Sequence, residues 1–168
     1  MSAEAIAELA DHPNICGVKD SGGDIAKIGQ ILFLTEGKRF QVLAGSASFL
    51  YPAVSLGASG GVCALANVSN IIRKQFCQLI YLNFKVLGEE VVKLYKATTS
   101  GDHAAAAVLQ KRLIGPNQAV TKQYGVPGLK VVMEEFGFQA GQLRAPLIDA
   151  SSSDAESVKT IFKNSRYL

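Results

Sequence analysis

The chain has 168 residues, 48% hydrophobic and 18% charged, enough to bury one ordinary core and too apolar for a disordered segment. Its 17 basic residues exceed the 14 acidic ones by 3 and are scattered singly or in pairs, which excludes a nucleic-acid footprint. Three cysteines without C-x-x-C spacing and two solitary histidines, His12 and His103, argue against a disulfide framework, a zinc cluster or a triad, and for a reducing compartment.

Met1 to Ala10 reads as a helix carrying Ile6 and Leu9, ended by Asp11-His12-Pro13 because proline disfavours helix at the residue before it. The same opening stretch is acidic and lacks arginine, so it resembles neither a secretory signal nor a mitochondrial presequence. No apolar run reaches the roughly 18 residues of a membrane span. The expectation is a soluble intracellular chain with no membrane partner.

Ile15 to Lys19 is a short apolar run stopped by Asp20-Ser21-Gly22-Gly23, which predicts a buried strand and a turn. Asp24 suits the N-cap of a helix with Ile25, Ile28, Ile31 and Leu32 on one face. The pattern then repeats: strand Phe40–Leu43, turn Ala44-Gly45-Ser46, helix Phe49–Leu56, and a third strand Gly61–Leu65. Strand, turn and helix in this order predict right-handed βαβ units with a parallel sheet. The strands are apolar throughout, as expected when both faces are covered.

Beyond Leu87 only helices are predicted, over Glu89–Thr99, Asp102–Leu113 and Gly128–Phe136, the last with Pro127 at its start and Gly137 at its stop. A final helix opens on Ser153-Asp154-Ala155-Glu156, whose Ser-x-x-Glu spacing is a capping box. Three parallel strands cannot close a barrel and leave two raw edges.

Lys19 is the first candidate for chemistry. It ends an apolar strand, where ligands collect in parallel α/β folds. An amine desolvated by apolar chain becomes nucleophilic near neutral pH and can form a Schiff base with a ketone. The structural alternative is a strand-end lysine that reaches solvent. Gly45-Ser46 occupies the matching place after the second strand, where glycine permits close ligand approach and helix amides could hold a carboxylate. Taken alone, Ser46 fits an ordinary turn and N-cap better. Ser21 with Gly22-Gly23 makes a third such turn. Asn67-Val68-Ser69 fits a glycosylation triplet by chance.

Gly17-Val18-Lys19-Asp20-Ser21-Gly22-Gly23-Asp24 resembles the Schiff-base lysine motif of the dihydrodipicolinate synthase and N-acetylneuraminate lyase superfamily. Val42 to Ser46 and Gly60 to Asn67 resemble its next two strands in order. Within it, the wording is most similar to the 4-hydroxy-2-oxoglutarate aldolases of mitochondrial type, through Arg112 to Asn117, Tyr124 to Lys130 and Arg144 to Leu147. The resemblance implies an α/β fold: the last three βα units of a (β/α)₈ barrel, followed by C-terminal helices. It implies cleavage of a small 2-keto acid, 4-hydroxy-2-oxoglutarate, to pyruvate and glyoxylate, with Lys19 as nucleophile and Ser21 and Gly45 against substrate. A related pyruvate-type aldolase of the same superfamily is the neighbouring reading. No cofactor and no metal are implied, because the lysine is itself the electron sink. The family is mitochondrial and forms tetramers, so homo-oligomerisation, or docking on a full-length subunit as a non-catalytic isoform, is implied as well.

Departures from the family pattern qualify this. The paired hydroxyl residues after its second strand, which hold the carboxylate, and the tyrosine of its fifth strand, which shuttles the proton, have no counterpart. Tyr51, Tyr81, Tyr95, Tyr124 and Tyr167 all lie downstream of Lys19. Loss of a positioned proton shuttle alone costs about 10²–10⁴-fold in rate, so the chain by itself is expected to be inactive. Ser69 to Val86 interrupts the resemblance with a run rich in Ile, Asn, Lys, Phe and Tyr, residues with AT-rich codons. It reads as a retained intron, or else as an added amphipathic helix through Ile72, Phe76, Ile80 and Phe84. The organisation is therefore 1–68 for the βα units, 69–86 for the insertion and 87–168 for the helical region.

Overall fold

The computed structural model describes residues 1–67 and 87–168. The insertion read at 69–86 lies outside the described residues. Three short strands, β1 (Gly17–Asp20), β2 (Gln41–Ala44) and β3 (Gly60–Gly61), form one parallel sheet in the order β1-β2-β3. In register, Lys19 stands beside Leu43, and Leu43 beside Gly60. Helix α1 (Ala3–Leu9) precedes β1, α2 (Ile25–Leu34) follows it, and α3 (Leu50–Ser55) follows β2 after a single tight turn over Ala47–Phe49. Asp24 caps α2 as expected, its carboxylate accepting from the Lys27 amide at 3.0 Å.

Alternation along the strands decides which face is covered. Val42 is 1% and Ala44 0% exposed, and they share a face with the half-buried Val18 and with Ile28 and Ile31 of α2 in one core. On the other face Lys19 and Gln41 are exposed and Leu43 only half-buried. The expectation that both faces are covered is therefore wrong among the described residues. Among the described residues the helices bury the face of Val18, Val42 and Ala44, and an apolar strand sequence does not reveal whether a second layer arrives.

The third strand is shorter than predicted. It stops at Gly61, and Ala64–Asn67 winds into a tight helical turn instead of continuing to Leu65. Cys63 and Leu65 are buried by that turn. A side chain at Gly61 would meet the Ala44 carbonyl at 2.9 Å and Leu50 at 2.8 Å, so the chain passes too close for anything but glycine.

The C-terminal region is helical, as expected: α4 (Gly88–Thr99), α5 (His103–Gln118), α6 (Gly125–Glu135) and α7 (Ser152–Asn164). Leu94, Leu113, Val132, Val158 and Phe162 are each 0% exposed and extend the core behind α3. Three boundaries move. Helix α5 runs on through Pro116 and passes into a wider turn over Ala119–Gln123, because tertiary burial of Pro116 and Asn117 outweighs the missing amide. Helix α6 starts at Gly125, so Pro127 is its third residue, while Gly137 takes φ 83° just beyond its end. The cap of α7 is Ser151, which accepts from the Asp154 amide at 3.1 Å, in place of Ser153.

Candidate functional site

The carboxyl ends of β1 and β2 meet. The Gly45 amide donates to the Asp20 carbonyl at 2.7 Å, continuing the ladder one residue past β2. A Cβ at Gly45 would strike the Ser21 hydroxyl and come within 2.8 Å of both the Asp20 carbonyl and the Ser21 Cα. Ser21 and Gly45 are thus brought into contact, and Lys19 lies two residues before Ser21 on the adjoining strand. The three residues singled out from the sequence do occupy one strand-end corner.

Lys19 itself differs from its expected setting. Its side chain is exposed and has no hydrogen bond or ion pair among the described residues. Desolvation by surrounding apolar chain, the means expected to make it nucleophilic, is not present here. The reason is the uncovered face of the sheet, which is the side from which Lys19 projects.

Asp20, the next residue, turns to the covered face and is 8% exposed. Its carboxylate accepts from the Gly22 amide at 2.8 Å and from Lys27 Nζ at 2.5 Å. The Lys27 hydrogen bond, with the Gly22 and Gly23 amides, holds the Asp20 carboxyl below its usual range against the opposing effect of burial. This pair ties the β1–α2 turn to the first turn of α2 and fixes where Ser21 stands. An aspartate followed two residues on by a turn glycine is a sequence signal for such a turn. Its partner Lys27 carried no comparable signal.

On the β2 side, Ser46 caps the turn over Ala47–Phe49, and its hydroxyl accepts from the Ser48 amide at 3.4 Å and from Asn117 Nδ2 at 2.8 Å. Ser46 therefore acts as the ordinary N-cap. Gln110 of α5, 6% exposed, donates to the Ala47 carbonyl and accepts from the Tyr51 amide, both at 2.8 Å. Neither Gln110 nor Asn117 was anticipated from the sequence, since their partners lie 59 to 71 residues away. Among the described residues no group of three or more His, Cys, Asp or Glu side chains could hold a metal ion, and no helix is long and apolar enough to cross a membrane.

A lysine and two glycine-bearing turns at the carboxyl ends of parallel strands are the layout of a ligand site in an α/β enzyme fold. The chain belongs to the dihydrodipicolinate synthetase family, a lyase-type family whose model matches residues 1–82 and 79–165. It is 30% identical over 167 residues to a 4-hydroxy-tetrahydrodipicolinate synthase of Methanospirillum hungatei, covering 99% of this chain and 50% of that protein. It is 31% identical over 159 residues to an uncharacterized DapA-like lyase of Halobacterium salinarum, covering 95% and 46%. Dihydrodipicolinate synthase from Thermotoga maritima shares the fold, with a TM-score of 0.80, 23% identity and coverage of 99% of this chain and 51% of that one. A dihydrodipicolinate synthase of Bacillus anthracis gives 0.79, 21%, 96% and 49%. The chain spans about half the length of the curated relatives it matches.

Proposed function

We propose that the chain carries the lysine-bearing part of a pyruvate-type Schiff-base lyase, built as the last three βα units of a (β/α)₈ barrel with its C-terminal helices. The observation that carries this reading is the corner itself: Lys19 beside the touching Ser21 and Gly45 on the open face of the sheet. In a closed barrel that face is the interior. Strands outside this chain would supply the apolar surroundings that Lys19 lacks.

The chemistry follows from an amine at this place. Lys19 Nζ adds to the C2 carbonyl of a 2-keto acid, and loss of water leaves a protonated imine. With 4-hydroxy-2-oxoglutarate, a base takes the C4 hydroxyl proton and the C3–C4 bond breaks. Glyoxylate departs, and the bonding pair moves through the enamine toward the imine nitrogen. Protonation at C3 and hydrolysis release pyruvate and restore the amine. Atoms and charge balance without an oxidant, reductant or metal. The wording of Gly17–Asp24 and of the C-terminal stretches supports 4-hydroxy-2-oxoglutarate as substrate and, with it, a mitochondrial setting. The second reading is a dihydrodipicolinate synthase-like activity, supported by relatives such as the 4-hydroxy-tetrahydrodipicolinate synthase of Methanospirillum hungatei.

Among the described residues β1 and β3 each have one edge without a strand partner, and those edges with the open face support pairing, either with a further copy or on a full-length subunit. The chain by itself would not turn over, because the base for the C4 hydroxyl and the carboxylate clamp come from outside it. Reductive trapping tests the reading. Incubation with pyruvate and borohydride at alkaline pH, followed by peptide mapping, is expected to place the adduct selectively on Lys19, with Lys19→Ala losing it. Label spread evenly over the lysines would overturn the assignment.

A further inference from the structure

We infer that Asn117 is a positioning residue for the strand-end site, acting through the Ser46 hydroxyl on the Gly45–Ser48 turn. Asn117 is 1% exposed, on the last turn of α5 beyond Pro116. Its Nδ2 donates to Ser46 Oγ at 2.8 Å, and the Ser48 amide donates to the same oxygen at 3.4 Å. These two donors occupy both acceptor positions of the Ser46 hydroxyl. Its own proton therefore goes to Ser48 Oγ, 3.0 Å away. The result is a directed chain, Asn117 to Ser46 to Ser48, in which the Ser46 hydroxyl has one orientation.

Asn117 does not behave as a residue kept for stability alone. Its Oδ1 is buried with no hydrogen-bond partner among the described residues, which offsets what the Nδ2 bond contributes. What the side chain does achieve is to fix Ser46, and Gly45 precedes Ser46 directly. Gly45 in turn rests on Ser21 and Asp20. Seven residues before Asn117, two helical turns away and so near the same face of α5, Gln110 holds the other end of the turn through the Ala47 carbonyl and the Tyr51 amide. The C-terminal helix thus grips the second strand end at two points with buried amides, setting its distance from Lys19.

The inference rests on the Schiff-base reading only for what the corner would bind. Amide hydrogen exchange on the full chain tests the linkage with no substrate present. In Asn117→Leu, which keeps the volume and removes the donor, the Gly45 and Ser48 amides are expected to exchange about fivefold faster, the worth of one net hydrogen bond. The Val132 and Val158 amides, in the core of α6 and α7, keep their rates. Ser46→Ala produces the same acceleration at Gly45, and combining it with Asn117→Leu adds nothing more. A uniform acceleration across the chain, or unchanged exchange at Gly45, would overturn the inference, and so would additive effects. Should Asn117→Leu fail to fold, Asn117→Ala, which also removes the donor to Ser46, decides at Gly45 by the same criterion. Pyruvate trapping supplies the second readout: Asn117→Leu raises the half-saturating pyruvate concentration while leaving the final yield on Lys19 unchanged. A parent chain that traps no pyruvate on Lys19 overturns the Schiff-base reading, and the exchange rates still decide the linkage.

Discussion

Adding one methyl group separates the strand-end corner from an ordinary turn. In Gly45→Ala the new Cβ lies within 2.8 Å of the Asp20 carbonyl and of the Ser21 Cα, both of them backbone. Ordinary contact begins near 3.4 Å, so the two strand ends must part by about half an ångström, and rotating Ser21 relieves only its hydroxyl. Overpacking costs about 1–3 kcal/mol, and weakening the 2.7 Å bond from the Gly45 amide adds about 1 kcal/mol. A loss of about 2–4 kcal/mol is expected, a fall of roughly 1–2 M in urea midpoint for a slope of about 2 kcal/mol per molar. Gly29→Ala is the control. Gly29 lies inside α2, and its Cβ would meet only the exposed Leu56 at 3.5 Å. Exchanging glycine for alanine there should stabilise by about 0.8 kcal/mol through helix propensity. Urea unfolding followed by far-UV circular dichroism reads both variants. A Gly45→Ala midpoint equal to the parent's, or a Gly29→Ala midpoint well below it, would refute the close approach.

Lys27→Met removes the partner of the buried Asp20 carboxylate and should cost about 2 kcal/mol at pH 7, the range of a hydrogen bond to a charged group. Because the folded Asp20 titrates below its unfolded value, the pair's contribution is complete above the unfolded value, near pH 4. It is lost as pH falls through the folded one, so the gap between variant and parent closes in acid. Urea midpoints at pH 7, 5 and 3 check this, and a gap of equal size at pH 3 would contradict it. Burial pushes the Cys63 thiol up to about 11, whereas Cys16 is exposed. Iodoacetamide at pH 8 should therefore modify Cys16 well before Cys63, and unfolding in urea should abolish the difference. Peptide mapping against time reads the order.

Much of the βα pattern was legible because its signals are local. The apolar run before Asp20-Ser21-Gly22-Gly23 marked β1, and the oxygen of Asp24 marked the start of α2 within a residue. The corner of Lys19, Ser21 and Gly45 was legible because strand ends and glycine turns predict where backbones converge. Three serines in succession, Ser151 to Ser153, left the cap of α7 ambiguous, since two of them precede an acidic residue by three positions. What escaped was set by distant partners. The sequence reading ended α5 at Leu113, and the burial of Pro116 and Asn117 carries the helix to Gln118. The grip of Gln110 and Asn117 on the Ala47 turn joins segments that no local pattern relates. For Lys19 the sequence offered both settings, desolvated by apolar chain or reaching solvent, and could not choose between them, because apolar strands say nothing of which layers are there.

The central claim is that Lys19 projects from the uncovered face of the sheet into solvent, and lysine footprinting addresses it most directly. A short pulse of an amine-acylating reagent on the native chain, read by mass spectrometry, gives a rate for each lysine. The account predicts that Lys19, with no partner among the described residues, is acylated several times faster than Lys27, which is held by Asp20. A Lys19 as slow as Lys27 at every protein concentration would contradict it, because the face would then be covered within the chain itself.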